Sequence, residues 1–372
     1  ENRYVDLAAG FGALLLGHSH PSVLRAIQLQ SERLLQALGD VYPSDAKIGL
    51  IERLGQLLPI PEAQVILGQS GADAVSAALK TAALATAKPG VIAFQGSYHG
   101  LSYGPLAVTD LRPSYRAPFQ EQLSPHVRFA LYPSSAAELD ESLEMVRALL
   151  AGQPTGAILV EPLLGRGGVI DPPAGFLRGL QELARDAGAL LITDEIWTGL
   201  GRAGDWLAST ADGVVPDLVC LGKGLGGGLP ISACVGSRAV MAHWSREQEV
   251  VHTSTFAGAP LAAATALATL DTLGRGGVLE RAADLGARWK ARLELRLRGT
   301  AISAVRGRGM MLGLDAGELP GGGWALQKAL LARGFVTSTG GGQRDVLVLT
   351  PPLVITERQL EAFDDALLDA LG

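Results

Sequence analysis

The chain predicts an α/β fold: a large unit built on a mostly parallel seven-stranded sheet, joined to a smaller α+β unit. Two observations carry this. Short apolar runs recur between residues 65 and 235 with helical patterns between most of them, and they are too apolar for a strand with one wet face. After Pro260 the rhythm changes to long helical stretches with only two strand-like runs.

Residues 4–16 make an apolar opening rich in Gly and Ala. Ser19 or Ser22 then stands where it could cap a helix carrying Val23, Ala26, Ile27 and Leu34 on one face. Residues 47–58 read as an amphipathic helix ended by Pro59 and Pro61. Strands are expected at 65–67, 91–94, 127–130, 157–160, 190–193, 218–221 and 231–235, and helices at 72–87, 137–151 and 176–187. Helices at 261–273 and 279–297 lead to strands at 310–314 and 346–349 and a last helix at 357–371. The large domain is therefore drawn at 45–260, and the small one combines 1–44 with 261–372.

A chain of 372 residues that is 48% hydrophobic can bury cores in both units. Its net charge of −6, with no basic cluster interleaved with aromatics, argues against a nucleic-acid partner. No apolar run approaches the ~18 residues of a spanning helix, and no signal-peptide pattern opens the chain. No membrane association is expected. Cys220 and Cys234 lie in apolar strand-like runs and read as reduced core thiols of a cytoplasmic protein. His18 and His20 lack a third ligand nearby, so no metal site is assigned. The chain opens on Glu1 and not on methionine, which leaves room for a preceding segment.

The leading candidate for chemistry is Lys223, which a strand-length apolar run delivers into the glycine-dense loop 222–228. Only six of the 31 basic residues are lysines. Arginine cannot replace one here, because only the lysine amine can lose its proton and form a Schiff base. A solvated surface lysine is the plain alternative. Gly222, Gly224 and Gly227 also spell GxGxxG, but a dinucleotide site needs a helix to start inside that pattern. Here Leu229-Pro230 and another strand follow, so the match reads as accidental.

Other candidates stand at the ends of other strands. Ser70 and Asp73 have capping-box spacing, and the first helical turn at Gly71 and Ala72 offers free N–H groups to a phosphate, although an ordinary capped helix would look the same. Tyr98 and His99, flanked by Gly96 and Gly100, are placed to stack on a planar ring or to form an exposed turn. Asp194 and Glu195 close a strand and must face opposite ways, so only one can enter a site. Asp194 precedes Lys223 by one strand-helix-strand interval, which makes their strands plausible neighbours. Phosphate seat, aromatic, carboxylate and amine together fit pyridoxal 5′-phosphate (PLP).

The sequence resembles the class III, ornithine/GABA/omega-type aminotransferases of PLP fold type I from about Asp6 to Thr356. Gly17-His18 with His20-Pro21, Ser70-Gly71-Ala72, Tyr98-His99-Gly100, Glu161-Pro162, Asp194-Glu195-Ile196 with Thr198-Gly199, Leu221-Gly222-Lys223, Thr255-Phe256 and Pro351-Pro352-Leu353 carry it. The resemblance implies a ping-pong aminotransferase that moves an amino group between an amine or amino acid and a 2-oxo acid. Lys223 would form the aldimine and shuttle the proton. Asp194 would hold the pyridine nitrogen protonated and Tyr98 would stack on the ring. Ser70, Gly71, Ala72, His99, Glu161 and Trp197 complete the cofactor-binding set. Thr255 would reach the phosphate of the other subunit, which implies a homodimer with shared sites. An aminomutase, racemase, lyase or decarboxylase on the same fold is the alternative, because the cofactor serves all of these reactions.

Two departures from the family pattern stand out. Trp197 occupies the place of a Gln that many members direct at the cofactor's phenolic oxygen, and an indole has only one N–H to offer. The Glu and Arg that ornithine- and GABA-type members pair for the substrate carboxylate are Arg166 and Val348 here. Arg166 is the candidate substrate-binding residue, because a guanidinium can grip a carboxylate with two parallel hydrogen bonds. The same departures argue against a plain acetylornithine or GABA enzyme.

Overall fold

The computed structural model describes residues 2–39, 41–246 and 250–372. The large sheet has seven strands: β1 (Gln64–Gly68), β2 (Gly90–Phe94), β3 (Val127–Ala130), β4 (Thr155–Val160), β5 (Leu190–Asp194), β6 (Leu218–Leu221) and β7 (Ser232–Gly236). Their order is β1-β7-β6-β5-β4-β2-β3. Strands β6, β5, β4, β2 and β3 pair in parallel, while β7 runs against both β6 and β1. The link from β6 to β7 explains that reversal. It holds one short 3₁₀ turn, Lys223–Gly226, and a parallel return needs a crossover of roughly a dozen residues or more. No α-helix starts at the GxGxxG pattern, in agreement with its reading as accidental.

Every residue of β4 is buried, the burial expected of a central strand covered on both faces. Helix α1 (Gly71–Thr86) covers one face through Ala74, Val75, Ala77, Ala78 and Ala82, whose short side chains let the helix lie close to the sheet. Helices α2 (Leu139–Gly152) and α3 (Phe176–Asp186) pack with the opposite face, where Phe94, Tyr132 and Phe176 meet edge to face.

Strands β8 (Ala304–Arg308), β9 (Met311–Asp315), β10 (Ser338–Gly340) and β11 (Val346–Leu349) form an antiparallel sheet in the order β10-β11-β9-β8. The helices at 278–296, 322–332 and 357–371 belong to the same part of the chain. The opening segment joins it, because Val5–Asp6 pairs in parallel with Phe335–Val336 and the Thr350 N–H donates to the Leu7 carbonyl at 2.7 Å.

The sequence pattern located all seven large-sheet strands and most long helices. It missed β8, β10 and the helix at 322–332, because arginines interrupt the apolar run of β8 and Gly321-Gly322-Gly323 disguise the start of that helix. The first helix also needs correction. Neither Ser19 nor Ser22 caps it; His20 does, its Nδ1 accepting from the Ser22 N–H at 3.3 Å, and the helix runs only from Pro21 to Ser31, short of Leu34. Among the described residues no helix is long and apolar enough to cross a membrane.

Candidate active site

Strands β5 and β6 are parallel neighbours, with Asp194 in register with Cys220. Asp194 therefore ends one strand where Lys223 follows the other. Both line a cavity of about 290 Å³ together with Gly71, Ala72, Tyr98 and His99. Glu161, Arg166, Ile196 and Trp197 also reach it. The acidic pair divides as strand alternation requires. Asp194 faces the cavity, and Glu195 points away to accept from the N–H groups of Ala208 and Ser209 and from the Thr198 hydroxyl.

Asp194 is only 5% exposed and is held from two sides. Its Oδ2 lies 2.7 Å from His99 Nδ1, and its Oδ1 accepts from the Ile196 N–H at 3.1 Å. His99 Nε2 is buried without a partner among the described residues, so the imidazole's fixed contact is with the carboxylate. Spacing alone placed His99 at the site but could not find this pair, since nothing local links residues 95 positions apart. Glu161 accepts from the N–H groups of Tyr98 and Gly165 at 2.8 and 2.9 Å, tying the Tyr98 turn to the segment before Arg166. Burial raises its pKa, against the pull of His99 and with the push of Asp194.

Lys223 has φ of +34°, a left-handed backbone rare for a residue with a side chain and costing on the order of 1–2 kcal/mol. Loss of hydration lowers its pKa from 10.5 to about 8; Asp194 and Glu161 oppose the shift, and Arg166 and Arg202 add to it. The amine lies 4.0 Å from the centre of the Trp197 ring, over a π-face that favours a cation. Trp197 is 7% exposed and its Nε1 has no partner among the described residues. Two glycines make room for it. A Cβ at Gly165 would fall 2.5 Å from the indole, and one at Gly12 would come closer still. The glycine after the lysine also has a packing role, because a Cβ at Gly224 would overlap Leu15.

The first turn of α1 faces the same cavity. Its capping box occupies the N–H groups of Gln69, Ser70 and Asp73 and leaves those of Gly71 and Ala72 to face the cavity. Ser70 thus acts as the cap, and its residue is exposed. Arg166 lies with its guanidinium 4.6 Å from the Tyr98 ring centre, and no carboxylate among the described residues stands within ion-pair distance of it. Val348 is buried in an apolar cluster with Leu163, Val169, Trp197 and Met311, so this position offers no charge. Thr255 is exposed and does not line the cavity; its carbonyl accepts from Gln36 Nε2 at 2.8 Å.

A family model, Aminotransferase class-III, matches residues 1–371. The chain belongs to the class III aminotransferases. The acetylornithine aminotransferase of Mycolicibacterium smegmatis is 38% identical over 98% of this chain and 88% of its own length. That of Methanopyrus kandleri is 36% identical over 100% of this chain and 90% of its own. The solved ornithine aminotransferase of Toxoplasma gondii, with PLP in its active site, superposes with a TM-score of 0.90 at 30% identity, covering 99% of this chain and 85% of that one.

The enzyme is a PLP-dependent transaminase that exchanges an amino group between an amino donor and a 2-oxo acid. The residues present suit that cofactor. The Lys223 amine, the anchored Asp194 carboxylate and the first-turn N–H groups of Gly71 and Ala72 surround one cavity and match an aldehyde, a pyridine nitrogen and a phosphate in turn, with His99 Nε2 buried and unpartnered among the described residues behind the carboxylate.

Proposed function

We propose that Lys223 and Asp194 are the catalytic residues of this aminotransferase and that Arg166 receives a substrate carboxylate. One observation carries the assignment: the amine and the carboxylate end adjacent parallel strands and line the same small cavity. Bound PLP supplies the electron sink that makes the substrate Cα acidic. Lys223 Nζ then takes the Cα proton and returns it, a role suited to an amine whose pKa has fallen to about 8. Asp194 would hold the pyridine nitrogen through its carboxylate, which His99 keeps from turning away. The N–H groups of Gly71 and Ala72 would receive the phosphate and Tyr98 would pack against the ring, while Ser70 and Glu161 hold those two segments in shape. Trp197 closes the site beneath the amine.

Thr255, exposed and away from its own chain's cavity, is assigned to the phosphate of a second subunit, so the functional unit is a homodimer. Domain limits of 45–260 for the large domain, and of 1–44 with 261–372 for the small, suit the two sheets. A cytoplasmic location suits the buried, unpaired Cys220 and Cys234. The amino donor is set apart from that of a plain acetylornithine or GABA enzyme by Arg166 and Val348.

The test is a half-reaction. Enzyme first loaded with an amino group should regain the aldehyde cofactor on addition of a 2-oxo acid and release one equivalent of new amino acid. Borohydride reduction of the holoenzyme should mark Lys223 in the peptide map; a label on any other lysine removes the assignment.

A further inference from the structure

Beside the inner cavity lies a second, of about 500 Å³, and Arg166 lines both. Its walls come from the opening segment, from strand β10 with the loop after it and from the helix at 322–332. Three arginines face it: Arg112, Arg166 and Arg344. The lining contains a single carboxylate, that of Asp6, which is already engaged by His18 Nε2 at 2.7 Å and by the N–H groups of Ala8 and Ala9. None of the three arginines has a carboxylate within ion-pair distance among the described residues, although most of the protein's ion pairs use arginine.

The arginines are positioned from different directions. Arg112 donates from Nε and Nη2 to the carbonyls of Gly342 and Gly341 at 3.1 and 3.2 Å, clamping the loop that carries Arg344. Gly341 in turn donates to the Arg166 carbonyl at 2.9 Å. Arg344 lies over the Trp324 ring at 5.5 Å, and Lys328 approaches the same ring at 5.0 Å. Thr337 is 4% exposed, lines the cavity and has a buried hydroxyl with no partner among the described residues. Unneutralised like charges gathered in a concavity repel one another and raise the local concentration of anions.

We propose that this outer cavity binds a second oxyanion, at the far end of the substrate from the reacting carbon, and that Arg344 is the residue that selects for it. The inference rests on the transaminase reading, because Arg166 must hold the near carboxylate for the far one to arrive at Arg344. At about 500 Å³ the cavity is within the range of sites for ligands larger than a short oxo acid. The substrate class is therefore an extended amino or 2-oxo acid with an anionic terminus, its middle passing Phe11 and Trp324.

Two measurements test this, one of them independent of turnover. Direct titration of the holoenzyme compares adipate with hexanoate, unreactive chains of matched length that differ by the terminal charge. Adipate should bind about tenfold tighter or more, as expected for a charge-assisted hydrogen-bonded pair. The advantage should shrink in high salt and disappear in Arg344→Gln, an exposed loop position where glutamine inherits the same backbone. Equal affinity for the two chains, or an adipate advantage that survives Arg344→Gln, overturns the proposal. In the half-reaction, the ratio of kcat/KM for 2-oxoadipate to that for 2-oxohexanoate should fall about tenfold in Arg344→Gln, chiefly through KM. If no 2-oxo acid restores the aldehyde cofactor, the transaminase reading fails and the proposal with it; adipate binding lost in Arg344→Gln would still show an anion site there.

Discussion

The two cavities that meet at Arg166 are built on opposite principles. The inner one is assembled from the ends of the most buried strands, and its polar groups are fixed: Asp194 by His99 and Ile196, Glu161 by two backbone N–H groups, and Trp197 by two missing Cβ atoms. The outer one is assembled from the opening segment, strand β10 and the loops and helix beside it, and its charges are left open: among the described residues three arginines have no acidic partner and a buried hydroxyl has no partner. Chemistry common to every substrate demands one rigid geometry, which only the sheet can supply. Recognition of one particular substrate needs charge at the right distance, which loops carry at little cost to stability.

If that division holds, damage inside should be catastrophic and damage outside selective. Lys223→Ala removes both the covalent anchor and the proton carrier, and should lower kcat by about 10³-fold or more with every substrate. A variant that retains a tenth of wild-type turnover would move the chemistry elsewhere. Arg166→Ala sits at the boundary. It should raise KM for acidic acceptors severalfold or more, about 1.4 kcal/mol for each factor of ten, and change kcat less. An unchanged KM would retire the carboxylate role.

The inner cavity's packing offers a smaller effect. Gly165→Ala forces a methyl against the Trp197 indole and should cost about 1–3 kcal/mol, read as a lower Tm. Combining it with Trp197→Gln should recover part of that loss, because the clash has then lost its partner. Smallest in amplitude is a pH dependence. Lys223 titrates near 8 in place of 10.5, so the fraction of neutral amine grows as pH rises through about 8. The rate at which apoenzyme takes up PLP should climb over that interval; a rate still climbing steeply toward pH 10 would show that burial does not depress the amine.

How much was legible from the chain follows the same line. The central strand positions could be read because a strand buried on both faces must be apolar along its length, and that is a local property. Lys223, Asp194 and the Gly71–Ala72 turn could be read because each follows such a strand, where open α/β sheets place their ligands. The anchoring of Asp194 by His99 could not be read, since the two meet only through the strand order. Nor could the room for Trp197: Gly12 and Gly165 look like loop glycines until the indole is seen between them.

By itself, then, the sequence determined the large sheet, the amine and the carboxylate beside it, because hydrophobic periodicity and strand ends are written in contiguous residues. Only the tertiary structure decided which side chains surround them. It brought Arg112, Arg166 and Arg344 to one cavity and gave Trp197 its place under Lys223. The physical reason is that charge and close packing act through space, over distances that chain order does not record.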